Sequence, residues 1–272
     1  MKKTSKFLAA FVYSNLLIAL GSVAICVQVF FINELDFNYF YWIFVFSSTF
    51  VSYNLQRLIR IKEIQIFNPK SWVFLHTKLL WFLTGVATFV ALFSLSHFWT
   101  ISILIWLVPV AIISLLYSYK GLRNIPYLKI FLISISWGIV CGILPFVVAN
   151  EIDLNTILLN FSLVFLYIFS ITIPFDIRDK GLDEDNKRTI PQVVGVKNAK
   201  ITSLISLGIY LIISVYLFPF YTLPFLLSVI SAGGLIYFSD EKRNNLYYSF
   251  WIDGHILFQF FAIMLIYFTK YA

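Results

Sequence analysis

The sequence predicts an all-helical protein that crosses a membrane many times. Three observations predict it: little charge, long apolar segments and a one-sided distribution of basic residues. Of the 272 residues, 60% are hydrophobic and only 12% are charged, whereas an ordinary soluble domain has about 25% charged residues. A surface so poor in charge does not keep a soluble monomer in solution. The composition therefore excludes a soluble enzyme, a disordered protein and a nucleic-acid-binding domain, despite a net charge of +7.

Nine apolar segments give the number of predicted spans. A helix needs roughly 20 mostly apolar residues to cross a bilayer. The first segment follows basic residues, but it is longer than the apolar region of a signal peptide and has no cleavage site after it, so we expect a retained helix. We predict one integral membrane domain over residues 1–272, with nine transmembrane helices. The segments are about 8–32, 39–61, 74–96, 99–118, 128–149, 156–175, 201–219, 221–238 and 248–269.

The charges predict how these segments are oriented. If the N-terminus is cytoplasmic, every lysine and arginine except Lys270 lies at the inner face, while the outer loops carry Glu34, Asp36, Glu151 and Asp153. The positive-inside rule favours this arrangement. We therefore expect a bacterial plasma (inner) membrane protein in contact with membrane lipid, with its N-terminus cytoplasmic and its C-terminus outside. The polar inner-face loops are predicted at about 54–72, 117–129, 174–200 and 239–247.

A first polar cluster closes the second segment. Asn54, Arg57 and Arg60 fall within about 120° of one another on a helix. Paired guanidiniums are well shaped to bind phosphate. The alternative is that the arginines anchor the helix by extending their charges to the interface.

A second polar cluster follows the fourth segment and contains Tyr117, Lys120 and Arg123. The two bases can hold a phosphate, and the tyrosine offers a hydroxyl or an aromatic face. The alternative is an ordinary basic loop of the inner face, with no ligand.

A third cluster, after the sixth segment, is acidic. Asp176, Asp179 and Asp183 are spaced so that a helix places all three carboxylates on one face. Clustered carboxylates repel one another unless a cation lies between them. Mg²⁺ suits such oxygen ligands and commonly links them to the phosphates of a substrate. The alternative is a solvated acidic loop that balances nearby bases.

Two further patterns lie in the fifth and ninth segments. Ser134, Gly138 and Gly142 repeat every fourth residue, which favours close helix packing. Asp253 and His255 enter the last segment from the inner side. They form either a proton acceptor for a reaction or a structural pair that satisfies its own hydrogen bonds.

The order of these motifs resembles the UbiA-type intramembrane prenyltransferases over nearly the whole chain. Members of that family have nine helices and an Asp-x-x-Asp-x-x-x-Asp motif after the sixth, which matches Asp176, Asp179 and Asp183. The Thr-Leu-Pro-like segment that follows in the family is similar to residues 189–191. The family's tyrosine and lysine motif after the fourth helix is similar to Tyr117, Lys120 and Arg123.

The first acidic motif of the family is degenerate in this chain. The family has Asn-Asp-x-x-Asp-x-x-x-Asp after the second helix, and here only Asn54 matches. The three aspartate positions hold Leu55, Leu58 and Lys62. Since leucine cannot bind a metal and lysine repels one, the resemblance implies that one of two magnesium shells is absent. Arg57 and Arg60 offer a replacement, because fixed positive charge also neutralises a phosphate leaving group.

The resemblance implies Mg²⁺-dependent transfer of a prenyl group from a prenyl diphosphate to an acceptor that is lipid-soluble or aromatic. Asp176, Asp179 and Lys120 are then the expected catalytic residues, and Asp183 completes the metal ligands with the two other aspartates. The expected diphosphate-binding residues are Asn54, Arg57, Arg60, Tyr117, Lys120 and Arg123.

Two other functions compete with this one. A protein that binds an isoprenoid or another lipid on the same fold, without catalysis, is favoured by Leu55, Leu58 and Lys62. A transporter would place charged residues in the middle of its spans, where this sequence has almost none.

Overall fold

The computed structural model describes residues 6–62, 71–118, 127–151, 153–180 and 189–271, and within them every regular element is helical. Two short segments, Gly138–Ile143 and Tyr247–Ile252, are π-helical. The helices are α1 (Lys6–Tyr13), α2 (Leu16–Ile32), α3 (Tyr39–Ile59), α4 (Trp72–Leu75), α5 (Thr77–Leu95), α6 (Ile101–Ser118), α7 (Leu128–Trp137), α8 (Leu144–Val148), α9 (Leu154–Asp179), α10 (Ile190–Leu217), α11 (Thr222–Tyr237) and α12 (Asp253–Tyr271).

The predicted all-helical architecture with apolar helices of membrane-spanning length is confirmed, whereas the predicted count of nine spans is not. Within the described ranges, six helical stretches are long and apolar enough to cross a membrane, and the bent pair of α1 and α2 makes a seventh if it is one span. Helix α3 is not among them, since its second half carries Asn54, Gln56 and Arg57. Helix α6 qualifies only as a shorter apolar helix.

Helices α1 and α2 meet at a break of 58°. Asn15 adopts a left-handed backbone conformation there, with φ 66°, which asparagine tolerates better than most residues. The Asn15 amide donates to Oδ1 of Asn54 at 3.0 Å, and the Asn54 amide donates to the carbonyls of Ser14 at 2.9 Å and Phe50 at 3.0 Å. The break is therefore fixed to α3 by a buried side chain.

Close packing of the α7–α8 segment against α9 depends on two glycines. A Cβ atom at Gly142 would lie 2.8 Å from Cα of Phe161 and 2.9 Å from the carbonyl oxygen of Asn160, and one at Gly138 would lie 2.7 Å from the Phe161 ring. The predicted role of this small-residue repeat in packing is confirmed. The close approach brings α9 into the centre of the helix bundle.

Helices α9 and α10 form an antiparallel pair whose ends are set by local residues. Asp153 caps α9 by accepting the Thr156 N–H at 3.1 Å. The hydrogen bond from the Thr156 hydroxyl, together with this one, holds the pKa of Asp153 below its usual value. Near the other end of the pair, Pro191 lies in the first turn of α10 and Gly195, with φ 81°, interrupts the helix. The C-terminal end of α9 and the N-terminal end of α10 thus lie at the same end of the bundle.

The main core lies between α2, α3, the α7–α8 segment and α9 to α12, whereas α5 and α6 expose much of their apolar surface. The exposed fractions of Phe82, Phe89 and Ile105 are 67%, 72% and 64%. An exterior of this kind is favourable in lipid and unfavourable in water. It therefore agrees with an integral membrane protein.

Candidate active site

The first predicted catalytic residue, Asp176, is buried near the C-terminal end of α9 and has a basic partner. Its Oδ1 accepts a hydrogen bond from Nζ of Lys129 at 2.6 Å. The side chain of Asp176 is 2% exposed and that of Lys129 is 18% exposed. A carboxylate is stable at such a depth only when its charge is balanced, and Lys129 supplies the balance.

Asp179, one turn further along α9, is also paired with a base. Its two carboxylate oxygens accept from Nε and Nη2 of Arg178 at 2.7 and 3.0 Å. The Arg178 guanidinium in turn lies over the rings of Phe175 at 5.2 Å and Tyr248 at 5.4 Å. Two aromatic faces and a forked ion pair therefore hold this guanidinium in one place.

The donor chemistry of this end of α9 fits the expected Mg²⁺ only in part. Asp176 and Asp179 provide the carboxylate oxygens that Mg²⁺ prefers, and each carboxylate has a base beside it. Within the described residues no three acidic, histidine or cysteine side chains form a cluster that could hold a metal ion. Asp183, the third predicted ligand, lies outside the described residues. The two aspartates would hold the ion together with waters and a substrate phosphate.

Arg57 of α3 reaches the same region from across the bundle. Its Nη1 donates to the carbonyl oxygen of Tyr13 at 2.6 Å, so the guanidinium turns towards the α1–α2 break. The carboxylate of Asp253, at the start of α12, interacts electrostatically with both Arg57 and Arg178. The two guanidiniums also repel each other through space. Arg57, Arg178 and Asp253 therefore lie within electrostatic range of one another.

The other two predicted residues of the second segment differ in position. Asn54 is fully buried, and its amide is engaged with Asn15, Ser14 and Phe50. Arg60 is the C-terminal cap of α3 and is half-buried. Since the described contacts of Asn54 all serve the fold, its role in binding diphosphate stays a prediction.

Most of the basic cluster after the fourth segment lies outside the described residues. Lys120 and Arg123 lie outside the described residues, and Tyr117 lies in the last turn of α6 with a side chain that is not described. Their predicted roles therefore stay predictions. Two sets of charges, linked by adjacent turns of α9, are called the charged cluster below: the pair of Lys129 and Asp176, and the group of Arg57, Arg178, Asp179 and Asp253.

Asp253 and His255, which are close in sequence, face different partners. Nδ1 of His255 lies 2.8 Å from the Tyr167 hydroxyl and Nε2 lies 2.8 Å from the Ser231 hydroxyl. Both ring nitrogens are thus engaged without Asp253, so the two residues do not form the structural pair that was one of the alternatives. Residues two apart on a helix point in different directions, which explains the separation.

The sequence did not predict Lys129 and Arg178 as site residues, and it offered Asp253 only as one alternative, a proton acceptor. Lys129 and Arg178 look like ordinary inner-face bases in the sequence, because the positive-inside rule accounts for them. Asp253 was considered only with its neighbour His255. The available signal was charge within apolar segments, since buried ionisable residues in membrane helices are costly and need partners.

An apolar helical bundle with carboxylates and guanidiniums near one end is typical of an integral membrane protein with a polar site at one face. The sequence profile of the UbiA prenyltransferase family matches residues 73–252. The chain therefore belongs to the UbiA prenyltransferase family. No curated protein matches the sequence.

Solved structures share the fold. A UbiA homologue from Archaeoglobus fulgidus bound to GPP and Mg²⁺ is 10% identical, with a TM-score of 0.64, covering 94% of this chain and 99% of that one. The apo structure of a UbiA homologue from Aeropyrum pernix K1 is 16% identical, with a TM-score of 0.63 and coverages of 96% and 98%. A digeranylgeranylglyceryl phosphate synthase is 12% identical, with a TM-score of 0.61 and 98% coverage of both chains.

Proposed function

We propose that this protein transfers a prenyl group from a prenyl diphosphate to a lipid-soluble acceptor, with an aromatic acceptor as the first class to test. The observation that carries the proposal is the forked ion pair of Arg178 with Asp179 at the end of α9, together with the electrostatic interaction of Arg178 and Arg57 with Asp253. Guanidiniums bind phosphate oxygens directly, and carboxylates can hold a metal ion that binds them too. The apolar interior of the helix bundle suits a prenyl tail.

The residues have distinct roles in this proposal. Asp176 and Asp179 would hold Mg²⁺, which would supply Lewis-acid stabilisation of the charge on a diphosphate leaving group. The guanidiniums of Arg57 and Arg178 bind diphosphate oxygens directly, which replaces part of the charge that the degenerate first motif no longer supplies. Lys129, the partner of Asp176, would add a further positive charge beside the diphosphate. Lys120 and Arg123 complete the basic lining.

A second candidate function is isoprenoid or lipid binding without turnover. Leu58, at the second aspartate position of the family's first motif, is 2% exposed and packs with Val73 and Leu80. That position has thus become part of an apolar core, while Lys62, at the third position, is exposed. The loss of one set of metal ligands is the observation that favours this candidate.

Diphosphate release distinguishes the two candidates. Purified protein is given Mg²⁺, allylic diphosphates of increasing chain length and a panel of aromatic acceptors, and released diphosphate and prenylated product are both measured. We expect release that depends on the acceptor and falls at least a hundredfold in the double variant Asp176→Asn/Asp179→Asn. The exposed Asp36→Asn variant is the matched control and should keep full activity.

The outcomes separate the two functions. Saturable binding of a prenyl diphosphate without release, at every chain length, would support the binding protein. Release that is unchanged in the double variant would contradict the assignment of the two aspartates. The thermal melting temperature of each variant shows whether a loss of activity reflects unfolding.

We also propose the topology on which these roles depend: nine spans, a cytoplasmic N-terminus, an outer C-terminus and location in the plasma membrane. Single cysteines at Lys242 and Asp36 test it, because the native Cys26 and Cys141 are buried and give little background labelling. A membrane-impermeant thiol reagent should label Asp36→Cys in intact cells and Lys242→Cys only after lysis. The reverse labelling pattern would show that the orientation is the opposite of the proposed one.

A further inference from the structure

The side chain of Tyr248 lies against the charged cluster, in the π-helical segment that precedes α12. Tyr248 is 0% exposed. The centroid of its ring is 5.4 Å from Cζ of Arg178 and 5.8 Å from the ring of Phe175. Arg178 also lies over the ring of Phe175, at 5.2 Å, as residues three apart on one helix can. One ring from α9 and one from a distant part of the chain therefore contact the same guanidinium.

A π-helical turn brings a second group of this segment to Arg178. The N–H of Asp253 donates to the carbonyl oxygen of Tyr248, five residues earlier, which is the hydrogen bond of a π-helix. This wide turn brings the two residues to the same side, whereas an α-helix would point them about 140° apart. The Asp253 carboxylate interacts electrostatically with Arg178. The ring and the carboxylate of one turn thus act on one guanidinium.

The hydroxyl of Tyr248 fixes its ring to the connection between α11 and α12. It accepts the N–H of Asp240 at 3.0 Å and donates to the carbonyl oxygen of the same residue at 2.6 Å. Oε1 of the next residue, Glu241, lies 3.4 Å from Nζ of Lys180 at the end of α9. That exposed ion pair contributes little by itself. Backbone hydrogen bonds therefore set the position of the ring independently of Arg178.

Arg178 keeps donors for a ligand. Asp179 accepts from Nε and Nη2, and Nη1 makes no hydrogen bond to any residue that the structure describes. A guanidinium has five N–H groups, so most of them are still available. Contact with two rings limits the rotamers of the arginine before a ligand arrives, and a pre-organised group loses less freedom on binding.

We infer that Tyr248 is a positioning residue, which holds the Arg178 guanidinium where its remaining N–H groups bind a diphosphate oxygen. The inference rests on the proposed function, in which Arg178 binds the diphosphate of a prenyl donor. Its physical basis is the attraction between a guanidinium and the negative face of an aromatic ring, which is stronger where water is excluded. Because Tyr248 is fully buried, it acts through Arg178 and not by contact with the substrate.

A double-mutant cycle on the binding of geranyl thiodiphosphate tests this inference. Isothermal titration with Mg²⁺ compares the native protein, Tyr248→Leu, Arg178→Gln and the double variant. We expect Tyr248→Leu to weaken binding about fivefold in the native background, and to cause no further loss when Arg178 is already replaced. Phe30→Leu is the matched control, because Phe30 of α2 is also 0% exposed, and it should bind the analogue normally.

A fluorinated ring separates the charge on the ring face from packing. Tyr248→Phe keeps the ring and loses the hydrogen bonds to Asp240, so it should bind the analogue within about twofold of the native protein. Tyr248→trifluorophenylalanine has nearly the same shape, but its fluorine atoms withdraw negative charge from the ring face. It should bind about threefold more weakly than Tyr248→Phe, and the two should bind equally when each also carries Arg178→Gln.

Three results would overturn the inference in a protein that binds the analogue. The first is equal binding by the native protein and Tyr248→Leu. The second is a loss in Tyr248→Leu that is the same with and without the Arg178 side chain, which means a general effect on packing. The third is equal binding by Tyr248→Phe and its fluorinated counterpart. Absence of analogue binding by the native protein would instead contradict the proposed function, and the inference with it.

Discussion

The ammonium group of Lys129 lies 2.6 Å from a carboxylate oxygen of Asp176, so the residue expected to bind a metal is one half of a buried ion pair. Both side chains come from the same end of the bundle, one from α7 and one from α9. Breaking such a pair by removing one partner leaves an uncompensated buried charge. The pair therefore links the stability of the fold to the candidate active site.

Replacing Lys129 with methionine should destabilise the protein by about 3 kcal/mol, because Asp176 loses its counter-charge. The melting temperature in detergent should fall by several degrees, and Mg²⁺ should restore part of it by binding the freed carboxylate. The exposed Lys197→Met variant is the control. A Lys129→Met protein that melts like the native one, with or without Mg²⁺, would show that Asp176 does not need the pair.

Removal of the Arg57 charge should weaken binding of a prenyl diphosphate about tenfold or more, since a hydrogen bond to a charged group contributes about 1.5–3 kcal/mol. Isothermal titration of Arg57→Gln with geranyl thiodiphosphate, an unreactive analogue, measures this. Exposed Arg243→Gln should bind the analogue normally. A larger loss in Arg60→Gln than in Arg57→Gln would assign the contact to Arg60 instead.

The Asn54→Leu variant should lower the free energy of unfolding by about 2–3 kcal/mol, because the Asn15 amide and the Ser14 carbonyl lose a partner inside the protein. Chemical denaturation in mixed micelles provides the measurement. Ser48→Ala, on the same helix, is the control. Native stability combined with poor diphosphate binding in Asn54→Leu would show that the residue acts in the site and not in the fold.

A methyl group at Gly142 should destabilise the protein by about 1–3 kcal/mol, because its Cβ would collide with the backbone of α9. Gly142→Ala should therefore melt below the native protein. Gly208→Ala is the matched control, since a Cβ at Gly208 meets nothing within 4 Å, and alanine is the better helix former. Equal melting temperatures for the two variants would mean that α9 can move away.

Much of the fold follows from the sequence, and so do parts of the site. The apolar segments predicted the helices, and the spacing of Gly138 and Gly142 predicted a close helix contact, because both signals are periodic along the chain. The spacing of Asp176 and Asp179 placed them together at the end of a helix. The number of spans was harder to predict, since α3 is a helix whose polar residues lower its hydropathy.

The sequence by itself determined the class of protein, the family and the acidic end of α9, because these depend on local composition, periodicity and motif spacing. Only the tertiary structure decided which charges come close: Lys129 pairs with Asp176, and Asp253 lies within electrostatic range of Arg57 and Arg178. Ion pairs depend on distances between helices that are far apart in sequence. A basic residue that balances a buried acid looks, in one dimension, the same as one that only follows the positive-inside rule.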